Sequence, residues 1–339
     1  SCSQGNVEFR SSPLGGLGSF ALTPLKKGEV IFAIPRNLIL SSSSPNVLED
    51  PRVSKLAADE RITGETLLCA YIVLNRENDE YLASLPSVYN QLRSEELHGT
   101  NVGSQLEKDM AEVSSQATII KEVCGPQHDL TEEKLNHARA LYNSRRLPVR
   151  FALSAEESTI AVEDTDGSQP TSKKRKLLET RAIYDPTQGC LCPVLDVHNS
   201  RPDYPPLEFQ ITPTMLQVVA SYDVEIGDEI YFNYDCQNND QCLLQFGYLL
   251  DAAESNVFTV QVGAQRYELR EGSSIPDELL GDGGYGLEQH LQSKQAAQKE
   301  ASESSNPFVV KYMAAQAKLV EVLLQQVRKQ IMEEEEDKG

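Results

Sequence analysis

Glu229-Ile230-Tyr231-Phe232-Asn233-Tyr234-Asp235 alternates apolar and polar side chains and closes on a phenol, the pattern of a strand. A lone tyrosine at a strand end is ordinarily a packing residue, so its meaning rests on what precedes it. About thirty residues earlier, Pro193-Val194-Leu195-Asp196-Val197-His198-Asn199-Ser200 runs an apolar strand into a dense group of hydrogen-bonding side chains. A site at a strand end needs that arrangement, although Asp, Asn and Ser also cap plain turns. Near the start, Gly15-Gly16-Leu17-Gly18 leaves out side chains where main chain can approach a ligand, or where the chain simply turns.

The rest of the chain sorts by period. Short apolar runs at Val7-Glu8-Phe9, Ser19-Phe20-Ala21-Leu22 and Val30 to Pro35 predict strands, with Lys27-Gly28-Glu29 a turn. Glu65 to Leu74 predicts a buried helix; Ser104 to Val123 and Thr131 to Asn143 predict amphipathic ones, the second capped by Thr131. Strands are expected again at Cys190 to Leu195, Leu207 to Ile211, Leu216 to Tyr222 and Val257 to Val262, with a short helix at Asp240 to Phe246. The end is a helix with apolar spacing from Val309 to Ile331, and its acidic last turn, against the helix dipole, is expected to fray. A Gly-rich loop that precedes a strand excludes the dinucleotide-binding arrangement, which needs one before a helix.

Composition bounds the function. The 339 residues carry 31 basic and 51 acidic side chains, a net charge of -20, which argues against a phosphate-backbone binder; no nucleic-acid partner is expected. No apolar run is long enough for a membrane span, and the first ten residues lack the order of a signal peptide, so no membrane partner is expected. Seven cysteines without framework spacing point to a reducing compartment, and Cys190, Cys192, Cys236 and Cys242 lack the spacing of a zinc site, so no metal is assigned. Ser154 to Lys176, acidic and then basic, predicts a disordered loop; Lys173-Lys174-Arg175-Lys176 is a candidate import signal, for a cytoplasmic or nuclear protein.

In this order and separation, the three segments resemble the SET domain of protein methyltransferases. The helical insertion after the first strands is similar to that of the Rubisco large-subunit lysine methyltransferase group. Tyr81-Leu82-Ala83-Ser84-Leu85-Pro86, Leu141-Tyr142-Asn143-Ser144-Arg145 and the Gly247-Tyr248 pair resemble signatures of that group, and Tyr267 to Arg270 with Ile275 to Leu280 resemble part of its C-terminal domain. The resemblance implies an α+β fold: a SET β-fold of short sheets with a helical insertion, plus a small C-terminal helical or mixed domain. The segments would be N-terminal strands at 1–60, the insertion at 61–150, the loop at 151–178, the core with the active site at 179–255, and a short substrate-binding-like domain with the terminal helix at 256–339.

The resemblance further implies S-adenosyl-L-methionine as donor and a lysine of a non-histone protein as acceptor. Cofactor contacts fall on Gly16, Leu17, Gly18, Arg145, Asp196, Asn199, Ser200, Asn238 and Asn239, substrate-channel positions on Ser144, Phe246 and Tyr248, and the catalytic tyrosine on Tyr234. The family reads Asn-His where this chain has Asn199-Ser200, with His198 one residue too early, a Gly where it has Asp235, and a small and acidic pair where it has Asp240 and Gln241. These departures keep open a weak or inactive SET-fold binding module, and a histidine acceptor stays open because one relative of the group modifies histidine. A lysine amine, with a reference pKa near 10.4, must lose its proton before it can attack, and an apolar channel favours the neutral form. The tyrosine would then orient the methyl group and stabilise positive charge rather than act as a base. Tyr248, where Phe or Tyr bears on how many methyl groups fit, favours fewer methylations. The oligomeric state is not legible.

Overall fold

In the computed structural model, residues 6–85, 92–125, 129–148, 151–152, 189–234, 236–281 and 284–337 are described. Asp235, Pro86 and residues 153–178 of the predicted loop, with Lys173 to Lys176, lie outside them; Phe151 and Ala152, placed at the start of that loop, are buried in the core. The chain divides into two units: residues 1–89 with 113–235, and residues 90–112 with 236–339.

The first unit is built from small antiparallel sheets. β1 (Val7–Ser11) and β2 (Leu17–Ala21) form a hairpin in which Ser11 faces Leu17 across the turn. β3 (Val30–Pro35) pairs with β8 (Met215–Val219), which pairs in turn with β7 (Glu208–Ile211). β4 (Leu40–Ser41) and β5 (Leu147–Pro148) flank β6 (Gly189–Leu191). Phe32, Ile34, Phe209, Leu216, Val218 and Ile230 fill the core beneath them. Strand alternation is what brings these side chains to one face.

Four helices follow β4: two one-turn helices, α1 (Pro45–Leu48) and α2 (Ser54–Ala57), then α3 (Gly64–Asn75) and α4 (Glu80–Ser84). α3 is apolar nearly all round and packs with α6 (Glu132–Arg145) through Leu68, Ile72, Leu135 and Leu141. Thr63 and Thr131 cap the two, each hydroxyl accepting an N–H three residues on. Between them, α5 (Asn101–Cys124) gives its first half to one unit and its second half to the other.

The second unit holds α7 (Asn239–Phe246), the hairpin of β9 (Phe258–Val262) and β10 (Gln265–Leu269), α8 (Tyr285–Lys299) and α9 (Pro307–Asp337). The apolar stripe of α9 is buried at Val309, Val320, Leu323, Leu324, Val327 and Ile331, as its spacing predicts. Residues 236–255 pack here because Tyr312, fully buried on α9, donates from its hydroxyl to Asp240 of α7 at 2.7 Å. No helix among the described residues is long and apolar enough to cross a membrane.

Three expectations need correcting. Glu229 to Tyr234 is no ladder strand: it makes isolated bridges, Phe20 to Glu229 and Ser200 to Phe232, and the Tyr231 N–H donates to the Tyr222 hydroxyl at 2.9 Å in place of a neighbouring strand. The predicted strand from Cys190 stops at Leu191, because the chain turns sharply at Val194 into a 3-10 turn, Leu195–Val197. The acidic end of α9 stays helical through Asp337.

Candidate functional site

The site residues of the first unit hang on two turns. In the β1–β2 turn, Gly15 and Gly16 take φ of 100° and 65°, backbone that L side chains rarely adopt. A Cβ on Gly16 would meet nothing within 4 Å, so conformation is what requires glycine there. Gly18 is different. A Cβ on it would lie 2.1 Å from Glu229 Oε1, so its missing side chain makes room for a carboxylate of the same protein. The sequence reading treated both as openings toward a ligand; for Gly18 the space is filled from within. Leu17, between them, is exposed.

The second turn begins at Val194, whose φ of 75° is unusual for a β-branched residue. That bend swings Asp196 inward, where its side chain is 1% exposed and bonded to Arg145 Nη1 at 3.2 Å. Arg145 Nη1 also donates to the Asp196 carbonyl at 3.0 Å, and the Tyr81 hydroxyl donates to Asp196 Oδ2 at 2.8 Å. Burial pushes the Asp196 carboxyl above the ordinary range, against the pull of Arg145 and Tyr81. Arg145 Nε and Asp196 Oδ1 are buried without a hydrogen-bond partner. Atoms of this kind occur elsewhere in the interior too, His198 Nε2 and Gln316 Oε1 among them; here the two lie on the two partners of one ion pair.

Three residues on, Asn199 Nδ2 donates to the Leu17 carbonyl at 3.1 Å and to Glu229 Oε1 at 2.7 Å. Its Oδ1 takes no hydrogen bond from the described residues, leaving an acceptor available. Ser200 Oγ accepts the Tyr234 N–H at 3.0 Å, and the Tyr234 hydroxyl donates to the His198 carbonyl at 2.6 Å. The tyrosine is therefore locked to the 198–200 turn at both its main chain and its phenol. His198 is not a displaced site residue. Its ring is 1% exposed, set against Phe32 and Phe232 at 5.3 and 5.6 Å, and burial lowers its pKa to about 4. It is a neutral core histidine. Ser144 spends its hydroxyl proton on the Leu141 carbonyl of its own helix at 2.8 Å.

The remaining predicted residues lie in the second unit. Asn238 caps α7 by accepting the Gln241 N–H at 3.0 Å and donates to Glu268 Oε1 at 3.2 Å. Asn239 accepts the Leu250 N–H at 2.7 Å and donates to the Leu250 carbonyl and to Asn256. Both are buried, so their side chains serve the protein and a ligand would find main chain there. Gly247 ends α7 in the left-handed conformation at φ 72°, and on either side of it Phe246 and Tyr248 face each other with centroids 6.3 Å apart. The Tyr248 hydroxyl points to Cys236 Sγ at 3.9 Å.

Two participants escaped the sequence reading. Tyr81 sat inside a quoted signature without a role, and Glu229 was absorbed into a predicted strand. The signal for Glu229 was present in Gly227-Asp228-Glu229, since a turn just before it leaves room for its side chain to fold back.

No protein-family model matches the chain, and no curated protein matches it. Solved structures do. A crystal structure of the SET domain of LSMT bound to lysine and AdoHcy superposes with a TM-score of 0.68 at 11% identity, over 98% of this chain and 88% of that one. Rubisco LSMT bound to sinefungin and monomethyllysine gives 0.70 at 12% identity, over 98% and 89%. The chain thus has the SET-domain fold, in the form seen in Rubisco LSMT.

Proposed function

We propose that the protein is an S-adenosylmethionine-dependent methyltransferase acting on a lysine of a non-histone protein. One observation carries the reading: Tyr234 is pinned by His198 and Ser200 beside an Asn199 whose carboxamide oxygen remains unspent. Arg145 Nε is a buried donor without a partner, suited to a carboxylate. Asn199 Oδ1, left over once its Nδ2 is spent on the Leu17 carbonyl and Glu229, is an acceptor suited to an ammonium. An amino-acid arm carries both groups, which is the fit these residues offer.

S-adenosylmethionine, when bound, supplies a methyl group on a cationic sulfur. The protein's part is to orient and to shield. Because the Tyr234 proton is engaged by the His198 carbonyl, its oxygen lone pairs are what it presents, and these stabilise positive charge at a methyl group. The same bond argues against a role as base, since the phenol would first have to lose the proton it donates to the His198 carbonyl. The net charge of -20 suits an acceptor in a basic segment, whose association would slow as salt rises.

A binding module is the second reading, favoured by Ser200, Asn238 and Asn239 being spent on protein partners. Thermal melts with S-adenosylhomocysteine separate the two. A methyltransferase gains about 2.7 kcal/mol at a hundredfold excess over Kd. No shift up to millimolar ligand would establish the module. Mass spectrometry of a cell extract incubated with labelled donor then reads whether lysine or histidine is modified, and how many times.

A further inference from the structure

Glu229 is where the Gly-rich turn, Asn199 and the tyrosine-bearing segment meet. Its residue is 7% exposed, and its carboxylate accepts three hydrogen bonds: Asn199 Nδ2 at 2.7 Å, Ser12 Oγ at 2.9 Å and the Tyr231 hydroxyl at 2.8 Å. The Phe20 to Glu229 bridge fixes its main chain, and the absent Cβ of Gly18 gives its side chain the space it occupies.

A carboxamide can sit in its pocket in two orientations, and its neighbours decide which. Asn199 Nδ2 faces two groups that only accept, the Leu17 carbonyl and the Glu229 carboxylate. The reversed amide would set its oxygen against both and turn its NH2 outward. Outward is the face where a donor's ammonium would need an acceptor, so the reversed amide would repel what the observed one binds. Leu17 alone offers a single anchor; Glu229 supplies the second, shorter and charge-assisted.

We propose that Glu229 is the positioning residue of the methyl-donor site, holding the Asn199 carboxamide with its oxygen toward the ligand, and that Gly18 is glycine to admit it. The proposal rests on the methyltransferase reading and goes beyond it. Glu229 touches neither donor nor acceptor; it acts through Asn199. Glutamine at 229 keeps the function, because its oxygen accepts from Asn199 while its NH2 donates to Ser12 or Tyr231, hydroxyls that also accept.

The test is calorimetric binding of S-adenosylhomocysteine to wild type, Glu229→Ala, Glu229→Gln, Asn199→Ala and the alanine pair. Glu229→Ala should weaken binding about tenfold or more, the loss expected of a charge-assisted hydrogen bond, and Glu229→Gln should stay within about threefold of wild type. In the Asn199→Ala background, Glu229→Ala should add less than about twofold, because residues acting as one unit are not additive. Losses that multiply, or a Glu229→Ala protein that binds as wild type, overturn the proposal. Where Glu229→Ala does not fold, Asn199→Asp sets two carboxylates together and should abolish binding, and adding Glu229→Gln should restore part of it, the oxygen still set against the Leu17 carbonyl keeping the rest of the loss. A swap that restores nothing overturns the proposal equally. Absence of binding by wild type itself would instead remove the methyltransferase reading beneath it.

Discussion

The two units bury comparable polar chemistry and use it differently. In the first, Arg145 Nε and Asp196 Oδ1 are left without partners and the Asn199 carbonyl oxygen stays available. In the second, Asn238, Asn239 and Asp240 are tied to Gln241, Leu250, Asn256, Asn101 and Tyr312. The contrast holds for these residues and not for every buried group, since Gln316, Gln326 and Gln330 of the second unit and His198 of the first also carry buried atoms without a partner among the described residues; an unspent atom singles out a place to test. The units also carry opposite proton chemistry. His198 is held neutral, its pKa lowered to about 4, whereas burial raises Asp240 to about 6.

The sharpest way to break the comparison is at the phenol. Tyr234→Phe should lower methyl transfer by about a hundredfold or more, as loss of one positioned polar group does, while the S-adenosylhomocysteine thermal shift persists. A mutant that loses the shift as well would place Tyr234 among the binding groups and erase its separate role.

Next in size are the opposed pH responses. His198 folds neutral, so its contribution is fully present above pH 6.5 and is lost as pH falls toward 4, amounting to about 3 kcal/mol across that window. Asp240 is easier to bury protonated, so its contribution is fully present below pH 3.8 and is lost as pH rises through 6, again about 3 kcal/mol. Asp196, raised by burial, opposes His198 within the first unit, so each effect is read as wild type against variant. Hydrogen exchange resolved by segment should show His198→Asn flattening the pH profile of the first unit alone and Asp240→Asn that of the second alone. Equal changes in both would mean that they unfold as one body.

Smaller effects separate the glycines. Gly18→Ala drives a methyl group into Glu229 and should cost about 2 to 3 kcal/mol by overpacking, whereas Gly16→Ala has open space and should cost about 1 to 2 kcal/mol from its backbone alone. Denaturant melts of the pair decide between the two causes. The least effect is at Asn238. Loss of its cap should cost about 1 kcal/mol of stability and leave cofactor affinity within about twofold; a larger loss of affinity would move it from scaffold to site.

Much of this was open to a reader of the sequence. The apolar stripe of α9, the Thr131 cap, the β1–β2 turn and the helical insertion all depend on neighbours within a few residues, and the chain states them locally. Tyr234, Asn199 and Gly16 could be placed because turns and strand ends repeat a recognisable order. Three things were not legible. The segment from Glu229 looked like a strand, but a period of two does not say whether a partner strand exists. His198, beside Asn199, looked like a displaced ligand, and only the aromatic rings of Phe32 and Phe232 show it to be core. Nor does the sequence say how Asn238 and Asn239 spend their side chains, which Glu268, Leu250 and Asn256 engage, leaving main chain for any ligand contact there.

By itself, then, the sequence determined which segments turn, which helices form, where the phenol falls and that the molecule is strongly acidic. The tertiary structure decided which polar atoms remain unspent, among them Arg145 Nε, Asp196 Oδ1 and Asn199 Oδ1, with Glu229 set behind Asn199. The reason is physical. Local structure follows from bonds between near neighbours, but a hydrogen bond is used up by whichever donor or acceptor arrives from anywhere along the chain. Glu229 and Ser12, two hundred and seventeen residues apart in the chain, meet at 2.9 Å only after folding.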